Sequence, residues 1–227
     1  MLYFMKIEFN KIDNKNFNLL RFLNSPNLNY EIHQKIEHLQ ENESTKKRIL
    51  WRLEGKNSKS PYLIVQTNFQ PNLERFRNQF NFSHYFKDEI HLKTINLNPN
   101  EGEMFFFKIR ANPTKNVTFL KDKKKKGHRI PITKTKDDEN DVDEIAHWLE
   151  RKGKLHGFSP LNLNYFKETI LELEVVKNKK HTSIHNSILF SGLLQVKDSN
   201  LFKSTIENGI GNAKILGFGL LSIKRMH

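Results

Sequence analysis

Tyr30 and His33 stand three residues apart in NYEIHQKIEHLQENES, and on a helix that spacing sets the two side chains beside each other. Such a pair can do proton chemistry, because an imidazole exchanges protons near neutral pH while a neighbouring phenol donates a hydrogen bond or orients a phosphate. A second reading makes His33 a structural histidine packed near Ile32 and Ile36, and residue types alone leave both open. His38 lies five residues beyond His33, which is not one turn, so it need not share that face. His128 belongs to a lysine-rich stretch and is a candidate for phosphate contact, whereas His147 falls between apolar positions and reads as structural. The ten histidines include no H-E-x-x-H pattern, and DDENDVDE reads as a solvated approach to a helix. No metal and no cofactor is expected.

Positive charge points to the class of partner. The chain has 38 Lys plus Arg against 25 Asp plus Glu, a net charge of +13, which makes polyanions the leading partners. Thr114 to Lys134 alone holds eight Lys or Arg and one Asp, an excess of seven charges and more than half of that surplus. Within it, Lys121, Lys123, Lys124, Lys125, Lys126, His128 and Arg129 are candidates for phosphate contact, since each neutralised phosphate releases condensed counterions. Lys177, Lys179 and Lys180 supply a second basic patch at a hairpin turn. Such groups set affinity and position and do not themselves read bases. There is no cysteine, which excludes disulfides, thiolate chemistry and Cys-ligated zinc. The longest greasy stretch, ILFSGLL, is far short of the roughly 20 residues of a membrane crossing. The expectation is a soluble cytoplasmic protein without a membrane partner.

These residues need a scaffold, and 227 residues with 37% apolar content suffice for one, burying roughly 70% of the unfolded surface. Leu2 to Phe9 alternates as a strand, and NKIDNKNFN reads as connection. Ile32, Ile36 and Leu39 form the apolar stripe of the first helix, with Asn27 or Asn29 as its cap. ILWRLE and PYLIVQT read as strands, NLERFRNQF as a short helix, and Glu89 to Leu97 as a further strand. The order is βαββαβ, the ferredoxin-like pattern. After NPNEGE it restarts with MFFFKIRA, a helix in DVDEIAHWLERK with Ile145, Trp148 and Leu149 buried, two strands in FKETILELEVVKNKK and IHNSILFSGLLQV, a helix in SNLFKSTIENG, and a closing strand in ILGFGLLSIKR. The expected fold is therefore α+β, with two tandem ferredoxin-like modules at 1–97 and 103–227 and a linker at 98–102.

GIGNAKILGFGL, residues 209–220, lacks the Lys-Ser/Thr of a phosphate loop and does not join an early strand to its helix. Four glycines after a helix and before a terminal strand fit tight turns and close backbone approach, partly for packing and partly to present backbone or Lys214 to a nucleic acid.

YEIHQ, ILWRLE, FFFKIRANPTK, RIPI followed by IAHWLERKG, and NGIGNAKILGFGLLSI, in this order and over nearly the whole chain, resemble the CRISPR-associated endoribonucleases of type I-E systems. Members of that family cut repeat-containing precursor RNA and stay with the guide in the Cascade complex. The resemblance implies two ferredoxin-like modules, a repeat stem-loop along a basic face, His33 as catalytic histidine and Tyr30 as its partner. A lysine found further along this helix in some relatives corresponds to His38 here, which leaves Lys35 or His38 as candidates for a third group. A basic hairpin that enters the RNA groove corresponds to Lys177, Lys179 and Lys180, and Arg110, Lys115, Arg129 and Lys214 fall in or beside the quoted blocks as phosphate contacts. Implied too is a metal-independent reaction in which the ribose 2′-hydroxyl attacks the adjacent phosphorus and leaves a 2′,3′-cyclic phosphate. The implied partners are repeat RNA, mature guide RNA and other Cascade subunits. The alternatives are an inactive repeat-RNA-binding assembly subunit and, on charge alone, an ordinary DNA-binding or ribosomal-type protein.

Overall fold

The computed structural model describes all residues except 13–15, 42–46, 80, 118–127, 133–142, 178 and 227, and excludes the side chains of 128, 169, 170 and 172–182. It divides into two compact units.

The first unit begins with β1 (Leu2–Phe9), α1 (Phe17–Leu23) and α2 (Leu28–Ile36), followed by a 3-10 turn at Glu37–Leu39. β2 (Ile49–Glu54), β3 (Tyr62–Thr67), α3 (Leu73–Arg77), α4 (Phe82–Tyr85) and β4 (Phe86–Ile95) complete it. The strands form an antiparallel sheet ordered β2-β3-β1-β4, the ferredoxin-like arrangement. Met5, Ile7 and Phe9 of β1 face the helices and meet Ile32, Ile36 and Leu39, the stripe expected from sequence. α1 was not expected: it starts in the last two residues of the polar connection and runs on to Leu23. Asn16 accepts from the Leu19 backbone N–H at its start, and Leu19, Phe22 and Leu23 turn inward at helical spacing. A few Asn residues had masked a short amphipathic helix.

In the second unit, β5 (Met104–Ala111) is followed by a small hairpin of β6 (Thr114–Val117) and β7 (His128–Pro131). Then come α5 (Glu144–Leu155), β8 (Phe158–Lys177), β9 (Lys179–Val196), α6 (Ser199–Asn208) and β10 (Leu221–Arg225). The sheet order β10-β5-β9-β8 repeats the ferredoxin-like pattern. Asp143 caps α5 by accepting from the Ile145 and Ala146 N–H groups, and Trp148 stacks on Phe190 at 5.9 Å. Buried Asn112, within FFFKIRANPTK, accepts from the Asn186 N–H at 3.0 Å, while the Asn186 amide donates to the Ile132 carbonyl at 2.6 Å. One of the quoted blocks thus stitches three distant stretches together.

Ile206–Gly209 and Ala213–Leu220 cluster with the first unit although they follow most of the second in sequence. The closing strand was expected from Ile215 onward, yet it starts only at Leu221. Gly217 (φ +83°) and Gly219 (φ +87°) take left-handed conformations that break an extended run. Side chains of the first unit hold this segment by its carbonyls: Trp51 Nε1 donates to Ile215 at 3.3 Å, Gln66 Nε2 to Ile206 at 2.6 Å, and Arg52 Nη1 to Leu220 at 3.2 Å.

A Cβ on Gly217 would stand 2.9 Å from the Trp51 ring, at a φ that side chains resist. Gly217→Ala is therefore expected to cost about 1–3 kcal/mol, the sum of overpacking and left-handed strain. A thermal midpoint within one degree of the parent protein would show that the contact carries no such constraint.

Candidate active site

α2 presents two different flanks. Ile32 and Ile36 point into the core, and one turn of the remaining surface carries Tyr30, about half exposed, together with His33. His33 is neither buried with the isoleucines nor fully in solvent, its side chain being 16% exposed, and its Nε2 lies 3.3 Å from Glu37 Oε1. The ring is thus oriented by a carboxylate one turn further on, which favours the N–H at Nε2. An exposed phenol next to an oriented imidazole can hold a phosphate oxygen and move one proton.

Lys35 and His38 occupy the other flank. With Phe22, Glu31, Gln34, Gln79 and Tyr85 they line a cavity of about 430 Å³. The Lys35 ammonium lies 4.4 Å from the centre of the Tyr85 ring and 5.8 Å from that of Phe22. Burial pulls its pKa below the usual lysine value, and the charge of Glu31 opposes that shift. The two candidates for a third group therefore share a pocket of their own, beside the face of Tyr30 and His33.

Asn29, a candidate helix cap in the sequence, does something else. Asn27 occupies the cap position, while the Asn29 amide donates to the Leu216 carbonyl at 2.7 Å. That bond seats a 3-10 turn, Lys214–Leu216, against α2, so Lys214 arrives on the side of the helix through residues 181 positions later in the chain than His33. Asn29 and Trp51, which hold this turn by the Leu216 and Ile215 carbonyls, are not singled out by sequence reasoning. The one available signal was that YEIHQ, ILWRLE and the glycine-rich block occur together.

In the second unit, Arg110 donates to both carboxylate oxygens of Glu168, at 2.5 and 2.6 Å, and Ser187 also donates to Glu168. Its guanidinium is engaged by a partly buried carboxylate. Lys115 pairs with Glu144 at 2.8 Å and remains half exposed. Arg129 donates to Asn212 Oδ1 at 2.8 Å, and the Asn212 amide donates to Thr114 at 3.0 Å, joining the β6–β7 hairpin to the turn at Ile210–Asn212. Lys121, Lys123, Lys124, Lys125 and Lys126 lie outside the described residues. The backbone pairs Lys177 with Lys179 and places Lys180 next along β9, at the tip of the long β8–β9 hairpin, and it places His128 at the start of β7. The side chains of these four residues lie outside the described set.

Among the described residues no group of three or more His, Asp or Glu could hold a metal ion, and no helix is long and apolar enough to cross a membrane. The family model described as CRISPR associated protein matches residues 2–225. The chain belongs to this CRISPR-associated family. Within it, the chain is 26% identical over 211 residues to the CRISPR-associated endoribonuclease Cse3 of Thermus thermophilus, covering 86% of this chain and 89% of that one. It is also 26% identical over 209 residues to the CRISPR system Cascade subunit CasE of Escherichia coli, covering 86% and 90%. A solved structure of CRISPR endoribonuclease Cse3 bound to a 19-nucleotide RNA matches with a TM-score of 0.75 at 24% identity, over 98% of this chain and 99% of that chain. That last likeness shows a shared fold.

Proposed function

We propose that this CRISPR-associated protein is an endoribonuclease that cuts the repeat stem-loops of precursor RNA into guide RNAs and then stays with the guide as a Cascade subunit. The observation that carries this reading is α2 itself: it displays Tyr30 beside an imidazole oriented by Glu37, with a lysine-bearing glycine-rich turn seated on the same helix. Near full-length likeness to proteins named as an endoribonuclease and as a Cascade subunit supports the substrate class.

The reaction follows from the groups available. The ribose 2′-hydroxyl attacks the adjacent phosphorus, the bond to the next nucleotide's 5′-oxygen breaks, and the upstream fragment keeps a 2′,3′-cyclic phosphate. The nucleophile belongs to the substrate, so no metal-activated water is needed. His33 exchanges a proton with the attacking hydroxyl or the leaving oxygen. Tyr30 donates to a nonbridging oxygen, and Lys214 offsets the charge that grows there. The basic segments of the second unit hold the stem by its backbone, as an A-form helix with a narrow major groove requires.

Incubation of the protein with its own repeat RNA in EDTA, followed by mass analysis of the termini, tests this directly. The expected products are one upstream fragment ending in a cyclic phosphate and one downstream fragment with a free 5′-hydroxyl. Placing 2′-deoxyribose at the cleavage nucleotide should lower the cutting rate by at least about 10³-fold, since the nucleophile is gone and only background cleavage remains. Cleavage at the same bond in the deoxy substrate overturns the chemistry. Repeat RNA that binds tightly but stays intact, with and without divalent ions, selects the inactive assembly subunit instead.

A further inference from the structure

α5 carries charged side chains at both ends, and they are used differently. Near its N-terminus, Glu144 pairs with Lys115 at 2.8 Å. Two turns later, Lys152 lies over the indole of Trp148, its ammonium 5.8 Å from the ring centre. Burial pulls the pKa of Lys152 down, and the neighbouring positive charges of Arg129 and Arg151 pull it further in the same direction.

Two further elements are built around this point. The Arg129 guanidinium is held by Asn212 at 2.8 Å, and Asn212 is held in turn by Thr114 at 3.0 Å. The backbone of Gly211 passes so close to Trp148 that a Cβ there would touch the indole at 3.4 Å. The glycine turn thus touches the indole that lies under the Lys152 ammonium through Gly211, and holds the Arg129 guanidinium through the next residue, Asn212.

We propose that Lys152 and Arg129 form a clamp for a backbone phosphate of the bound RNA stem. Gathering like charges in a partly desolvated place is unfavourable until an anion lies between them, and a phosphate fits both partners. Arginine offers it a planar fork of donors, and lysine offers a compact point charge. The occupant is RNA rather than an acidic peptide because β6 and β7 flank the most basic stretch of a chain with a net charge of +13, which suits a polyphosphate. This inference rests on the proposed function, and it adds Lys152, Asn212 and Trp148 to the RNA-holding surface.

The test uses the full chain as Lys152→Gln and Lys152→Arg, with thermal melts to verify folding. Repeat-RNA affinity is titrated at several salt concentrations. For Lys152→Gln we expect affinity about 3- to 10-fold weaker, and a log-log salt slope lower by about one, as for loss of one phosphate contact. Lys152→Arg should stay within about twofold of the parent, because a positive charge there is what the phosphate meets. Parent-like affinity and slope in a folded Lys152→Gln protein overturn the clamp. If the parent protein fails to bind repeat RNA at all, the proposed function falls, and inorganic pyrophosphate then decides the clamp. Pyrophosphate that raises the melting temperature of the parent but not of Lys152→Gln upholds the site, and equal shifts in both proteins overturn it.

Discussion

His33→Ala is expected to bind repeat RNA within about twofold of the parent and to cleave it about 10²- to 10⁴-fold more slowly in single turnover, the range set by loss of one proton-transfer group. Binding should be spared because the proposed phosphate contacts lie elsewhere, on the hairpins and on the turn bearing Lys214. Folding is spared as well, because the His33 side chain borders solvent while Ile32 and Ile36 supply the buried stripe of α2. Glu37 gives an internal check. It contacts His33 at 3.3 Å and orients the ring, so Glu37→Gln should lower the rate far less than removal of the imidazole. A His33→Ala protein that cuts at the parental rate would remove this residue from the chemistry and leave Tyr30 without its partner.

Arg52→Ala is expected to be strongly destabilising to the first unit. Arg52 is 1% exposed, donates to Glu54 at 2.7 Å, and holds the Leu220 carbonyl at 3.2 Å. Truncation strands a poorly solvated carboxylate and a buried carbonyl, and losing one partner of such a pair costs about 3–5 kcal/mol. Arg52→Met should recover part of the packing but none of the bonds, because its chain fills volume without donating. The effect should reach the site, because Leu220 ends the same segment that carries Lys214 and Gly217. Urea denaturation measures it, and a loss below about 1 kcal/mol would mean that water replaces both bonds at little cost.

Much of the fold was legible before any coordinates. Ile32, Ile36 and Leu39 recur at helical spacing and are all buried, and Asp143 begins α5 as an acidic residue ahead of a helix should. These are local signals, carried within one element, so period and capping suffice to read them. α1 was missed because its three buried residues sit in seven, too short a run for period to show against an Asn-rich background. β8 begins at Phe158, before the Phe166 start read from sequence, since Pro160 and Asn162 interrupt the alternation and the strand carries register shifts there.

The site divides along the same line. Tyr30 and His33 could be paired from a spacing of three, because neighbours on one helix turn depend on that helix alone. The block order likewise pointed to the family. Nothing in the residue types could say that Lys35 would lie over Tyr85, that Arg110 would be taken up by Glu168, or that Asn29 would reach the Leu216 carbonyl. Those pairings join residues brought together by strand order and by a glycine segment that folds back onto the first unit. Short-range pattern records periodicity within an element, whereas partner choice between elements follows from which surfaces the sheets and loops bury together, and only the folded chain holds that information.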